Sequence, residues 1–120
     1  MSGRIRIRAA ELAPEPGDAV VDLSTASGET ALREGLGGAL DAARRRGERR
    51  VSVLAPRGGA AGLPLQRCAE VLLDAARCHL AGATSIDEIQ FLVEGEPALR
   101  LFESVQDAAR IAEQAGRWAP

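Results

Sequence analysis

Residues Arg4 to Ala9 alternate strictly, with Arg4, Arg6 and Arg8 on one side and Ile5 and Ile7 on the other. A period of two is that of a strand, and its charged side marks an edge strand with one face in water. Asp18-Ala-Val-Val-Asp-Leu23 is a short apolar run and reads as a second strand. Val51 to Ala55 is the third, apolar enough to be central. Ile89 to Val93 is the fourth.

Between and after these runs the period changes to that of a helix. Leu32, Leu36, Ala39, Leu40 and Ala43 make one stripe on a helix from about Glu29 to Arg46. Leu65, Cys68, Leu72, Ala75 or Ala76, and His79 or Leu80 make a second, over Leu65 to Ala81. Leu99, Phe102, Val105, Ala109 and Ala112 make a third, from Ala98 to about Ala115. Ser27 or Gly28 is placed to cap the first helix, with Glu29 suited to its dipole. Gly82 ends the second. Gly35, Gly37 and Gly38 interrupt the first helix, each at a cost of about 1 kcal/mol against Ala. Close approach of that helix to a sheet is the compensation they imply.

The order β-β-α-β-α-β-α is an α/β pattern. It predicts a three-layer α/β/α domain with a small, mixed, mostly parallel four-stranded sheet. The chain of 120 residues makes one domain, residues 1–120, with residues 116–120 as a C-terminal tail that includes Trp118.

Composition changes the picture in three ways. Phe91, Phe102 and Trp118 are the only aromatics, so the core is aliphatic. All 15 basic residues are Arg, and Lys and Asn are absent, which has the look of a GC-rich bacterial coding bias. The net charge of −2 does not favour nucleic acid. No run approaches the roughly 18 apolar residues of a membrane span, and Met1 to Arg8 lacks the apolar core of a signal peptide, so the expected location is cytoplasmic. Cys68 and Cys78 lie ten residues apart on one helix, about 15 Å at 1.5 Å per residue. They cannot bridge each other and lack metal-ligand spacing, so they read as reduced structural cysteines; no metal or cofactor is expected.

The stretch with most chemical content is Val51 to Pro64: strand, then Pro56-Arg-Gly-Gly-Ala-Ala-Gly-Leu-Pro64, then a helix. That order sets free backbone N–H groups and a helix's positive end at a strand's C-terminal end, a place suited to phosphate. Gly58, Gly59 and Ala60 would supply N–H groups, Ala61 and Gly62 complete the loop, and Arg57 could pair a phosphate bidentately. The alternative is a plain tight turn, since glycines serve both. The Arg44-Arg45-Arg46 and Arg49-Arg50 cluster reads as a solvated helix end or as a surface for an anionic partner. His79 falls at the far end of its helix from Ser24, which argues against a Ser–His pair.

Taken together, these segments resemble a shortened macro domain, the family that binds ADP-ribose and related nucleotides. Asp18-Ala-Val-Val-Asp-Leu-Ser-Thr25 is similar to that family's Asp-Ala-Ile-Val-Asn-Ala-Ala-Asn strand. Val51-Ser-Val-Leu-Ala-Pro56 followed by Gly62-Leu-Pro64 resembles its strand, phosphate loop and Gly-aromatic-Pro. Ile86 to Val93 and Ala98 to Val105 resemble its last strand and helix. The resemblance covers about 100 residues and rests on collinearity rather than on one motif. It implies ligand contacts from Asp22, Ser24 and Thr25, with Asp22 as an acceptor for a ribose hydroxyl, and from Glu11, which stands where the family's adenine-binding Asp stands.

The departures are equally definite. The family's middle section, with its first glycine-rich ligand loop and two strands, has no counterpart between Ser24 and the helix at Glu29. Asp22-Leu-Ser-Thr25 replaces Asn-Ala-Ala-Asn, so the Asn associated with hydrolysis is absent. Two function classes follow. One is a non-catalytic module binding ADP-ribose, a nucleotide or another phosphate-bearing metabolite at the 56–64 loop. The other is an interaction module that keeps the fold without the pocket. Under the family's strand order, loss of the middle strands leaves Asp18–Leu23 at a sheet edge, apolar and without Lys or Pro, which predicts a homodimer through that edge.

Overall fold

The computed structural model describes residues 3–10, 18–56 and 63–118, with side chains inside the last helix described to Ala112. The elements are β1 (Arg4–Ala9), β2 (Ala19–Asp22), α1 (Glu29–Arg45), β3 (Arg50–Leu54), α2 (Leu65–Ala81), β4 (Glu88–Val93) and α3 (Glu96–Trp118). The order matches the sequence reading. The last helix starts two residues before Ala98 and runs to Trp118, past the expected end near Ala115.

The four strands lie in the order β1-β4-β3-β2, and every pairing is parallel. The mixed sheet expected from the sequence is therefore wholly parallel. Each β-α-β connection returns the chain to the same end of the sheet, which fixes that sense. β3 is central, and β1 and β2 are the two edges.

Register explains why the alternating patterns of separate strands agree. Ala19, Val51, Ile89 and Ile5 form one row across the sheet, and Val21, Val53, Phe91 and Ile7 the next. Both rows face the helices and join the hydrophobic core with Leu32, Leu36 and Leu40 of α1. The intervening rows are Val20, Ser52, Gln90 and Arg6, then Asp22, Leu54, Leu92 and Arg8, on the other face.

The three helices share one face: α1 packs on α2, and α2 on α3, with α3 also against β1. Two successive right-handed crossovers stepping the same way across a sheet put their helices side by side. Among the described residues the layers thus number two, helices on sheet, where the sequence reading expected helices on both sides. α2 is the middle helix, so its buried surface is wide: Ala69, Val71 and Leu73 are buried beside the expected Cys68, Leu72, Ala76 and Leu80. Phe91 of β4 meets Phe102 of α3 with ring centroids 6.3 Å apart and tilted, a favourable aromatic geometry.

The face without a helix carries a polar chain. Arg8 Nη1 donates to Gln90 Oε1 at 3.1 Å, Gln90 Nε2 donates to Ser52 Oγ at 2.8 Å, and Ser52 Oγ donates to Asp18 Oδ2 at 3.0 Å. Asp18, 4% exposed at its side chain, has Oδ1 3.0 Å from Arg50 Nε, close enough for an ion pair but without hydrogen-bond alignment. Ser52 and Gln90 are buried, and buried polar groups need such partners. Glu88 lies 3.5 Å from Arg4 and 3.7 Å from Arg6, so β1's arginines are paired as well as solvated.

The glycines of α1 divide. A Cβ on Gly35 would stand 3.2 Å from Leu23 Cδ2, a close approach to the end of β2. Gly37 and Gly38 have nothing within 4 Å of that position. Close packing on the sheet therefore accounts for Gly35 alone.

Candidate functional site

In a parallel sheet all strand C-termini share one end, and the helices that follow begin there. That end gathers the start of α1 after Gly28, the start of α2 after Pro64 and the start of α3 after Gly95. Its rim is tied together by main-chain bonds: Leu23 N–H to Leu54 O at 3.0 Å, Ala55 N–H to Leu92 O at 3.2 Å, and Ala10 N–H to Val93 O at 2.9 Å. Gly28 and Gly95 turn the chain into their helices at φ 82° and 90°, values that an L side chain rarely adopts.

The three helix starts differ electrostatically. Glu29 lies in the first turn of α1 and Glu96 in that of α3. α2 has no acidic residue in its first turn, and its N-cap is Pro64, which makes no side-chain cap bond. Its first intrahelical acceptor is Pro64 O, bonded by Cys68 N–H at 3.0 Å. The N–H groups of Leu65, Gln66 and Arg67 thus have no intrahelical acceptor, as in any first turn, and the turn itself contributes no carboxylate to the dipole's positive end.

Arg67 is held sideways rather than toward that end. Its Nε donates to Glu29 Oε1 at 2.7 Å and its Nη1 reaches Glu70 Oε1 at 3.4 Å. The bond from Arg67 draws the Glu29 carboxyl below its ordinary range and raises the guanidinium further. This bridge clamps the first turn of α1 to that of α2. Sequence reasoning missed it; the only signal was an acid at one helix start and an arginine at the next.

Asp22 closes a turn at the end of β2. Its Oδ1 accepts the Ser24 N–H at 2.9 Å and the Ser24 hydroxyl at 2.5 Å. Those two bonds, the hydroxyl first, hold its carboxyl below the usual carboxylate range. Asp22, Ser24 and Thr25 are all exposed at the rim. The structure therefore brings the expected Asp22 and Ser24 together, with the hydroxyl donating to the carboxylate. Asp22 Oδ2 and the lone pairs of Ser24 Oγ are what this turn offers a ligand.

Glu11, Arg57, Gly58, Gly59, Ala60, Ala61 and Gly62 lie outside the described residues. The residues flanking the loop are described. Pro56 is buried, and Leu63 packs against the hydrophobic core, so both mouths of the loop are anchored.

His79 lies at the opposite end of the sheet, where its Nε2 is 2.9 Å from Thr84 Oγ1, so no Ser–His pair forms with Ser24. Cys68 is buried and Cys78 exposed, and neither is in a disulfide. Among the described residues no group of three His, Cys, Asp or Glu side chains gathers as a metal site, and no helix is long and apolar enough to cross a membrane. A cavity of about 340 Å³ also lies away from this rim, at the other end of the sheet beside β1.

Solved structures share this arrangement. A Trypanosoma brucei macrodomain superposes with a TM-score of 0.58 at 21% identity, covering 70% of this chain and 34% of its own. An Oceanobacillus iheyensis macrodomain, solved with ADP, superposes at 0.63 and 14% identity, covering 70% of this chain and 44% of its own. The fold is a shortened, macrodomain-like one. The same T. brucei macrodomain has been solved in complex with ADP-ribose, again over 70% of this chain and 35% of that one. The chain thus spans less than half the length of the macrodomains it matches. No family model matches the sequence, and no curated protein does. The α2 start and the Asp22 turn lie at one and the same end of the sheet.

Proposed function

We propose that this macrodomain-like chain is a non-catalytic module that holds a phosphate-bearing nucleotide, ADP-ribose or a close relative, at the C-terminal end of its sheet. The observation that carries this reading is the start of α2. It is the helix start at that end with neither an acidic first turn nor a side-chain cap, and it follows the 56–64 loop directly. An anion there would meet main-chain N–H groups and a favourable dipole. Asp22 and Ser24 supply acceptors suited to a ribose hydroxyl. The binding of ADP and ADP-ribose by structural neighbours supports the choice of ligand class.

The test is calorimetric titration of ADP-ribose, then ADP, into the purified chain, with Gly59→Glu as the control. Saturable binding that the substitution abolishes supports the proposal. Absence of heat with both ligands overturns it.

A second reading is favoured by β2. It is an edge strand, and Val20 is 52% exposed on it. This reading makes the chain an assembly module, a homodimer joined through the Asp18–Leu23 edge. Light scattering at rising concentration separates the two readings: a mass that stays at 12.6 kDa throughout removes the dimer.

A further inference from the structure

The cavity at the N-terminal end of the sheet is a site of a different kind. It opens between α2, α3 and the start of β1, and its lining is Gly3, Ile5, Leu73, Leu80, Ala81 and Gln106 together with two arginines, Arg77 and Arg110. Its floor is aliphatic. At about 340 Å³ it falls at the small end of ligand cavities, which run from roughly 300 to 1,000 Å³. Its position is fixed from three sides. A Cβ on Gly3 would meet Asp87 O at 2.7 Å and Leu80 Cδ2 at 2.8 Å, so β1 is seated hard against the end of α2. Gln106 Nε2 donates to Ile5 O at 2.7 Å, which holds α3 to the free edge of β1.

The two arginines come from different helices. Arg77 stands 3.8 Å from Asp74, whose other oxygen accepts from Arg33 at 2.9 Å. Arg110 donates to Asp107 at 2.8 Å from one terminal nitrogen. A guanidinium carries five N–H donors, so both retain donors for an oxyanion in the cavity.

We propose that this cavity binds a small amphipathic carboxylate, its apolar body on Ile5, Leu73 and Leu80 and its carboxylate at Arg77 and Arg110. The aliphatic floor selects a short acyl or similar apolar body. The two guanidinium groups select the anion over an alcohol or amine of the same length. The site is separate from the nucleotide rim and does not depend on it.

The experiment is a titration of the full chain with octanoate, octan-1-ol and octylamine, followed by amide shifts in 1H–15N spectra. Octanoate is expected to shift Ile5, Leu80, Ala81 and Gln106 saturably and to bind at least tenfold tighter than octylamine. Arg77→Gln with Arg110→Gln, checked for folding by circular dichroism, is expected to weaken octanoate about tenfold, near 1.4 kcal/mol, while leaving octan-1-ol unchanged. Equal affinity for octylamine, or octanoate binding unmoved by the double substitution, would overturn the proposal. So would the absence of saturable shifts at these residues up to the solubility limit.

Discussion

Gln90 donates its amide to the Ser52 hydroxyl across two adjacent strands at 2.8 Å, and both side chains are buried. The hydroxyl passes the interaction on to Asp18, so a single Oγ serves a donor and an acceptor at once. Ser52→Ala would take the shorter of the Gln90 amide's two bonds, leaving the one to Asp18 Oδ2 at 3.5 Å, and would remove the hydroxyl donor from the Asp18 carboxylate. An unsatisfied buried polar group costs about 1–3 kcal/mol, and Ser52→Ala should destabilise by that order in urea unfolding. A variant as stable as the parent would mean that water reaches this face.

Gly38 lies inside α1 with open space where a Cβ would go, and its φ is not in the left-handed region. Gly38→Ala should therefore stabilise by about 0.5–1 kcal/mol, as for any exposed helical glycine. Gly35→Ala should gain less, because its Cβ must displace Leu23 Cδ2 from 3.2 Å. Thermal melts of the two variants should rank Gly38→Ala above Gly35→Ala. The reverse order would contradict the close approach of α1 to β2.

His79 titrates lower in the folded chain than its ordinary 6.5, first through burial and then through the nearby Arg44 charge, with Asp41 opposing. The unfolded chain then binds the proton more readily than the folded one. Stability from this group is complete above about 6.5 and is lost as pH falls from there toward the lower folded value. The lowered carboxyls of Asp22, Glu29 and Asp41 act in a separate window, below their ordinary 3.8 to 4.5. Unfolding midpoints should therefore fall between pH 7 and 5, and His79→Gln should flatten that slope. A slope that survives the substitution would place the titrating group elsewhere.

Much of the fold was legible because each strand's alternation carried its own orientation. Arg4, Arg6 and Arg8 marked an edge strand with one polar face, and β1 is that edge, with Ile5 and Ile7 on the helix side. Val51 to Ala55 marked a central strand, and β3 sits between β4 and β2. The burial of Ser52 and Gln90 was not legible, since a lone polar residue in an apolar run reads as a solvent-facing position. Their partners, Arg8 and Asp18, are 82 and 34 residues away in the chain. The Glu29–Arg67 clamp was hidden for the same reason, as 38 residues separate its ends. Asp22 with Ser24 was legible because a turn is local, closing over two residues.

The two sheet edges differ in a way that decides where a partner strand could add. On β1, Arg4 and Ala10 donate inward to β4's side, so the main-chain N–H and C=O of Ile5, at odd parity, point away from β4, and the carbonyl is covered by Gln106. On β2, Leu23 donates inward to Leu54 O. Parity along a parallel strand then turns the N–H and C=O groups of Val20 and Asp22 outward. Val20→Pro would remove one outward donor without touching the ladder to β3, and Val20→Lys would add a charge that strand edges use against pairing. If the chain dimerises through β2, either substitution should raise its dissociation constant at least about tenfold, equivalent to 1.4 kcal/mol, in analytical ultracentrifugation. A dimer indifferent to both would join through another surface. The exposed Ile111 on α3 would then be the next position to test.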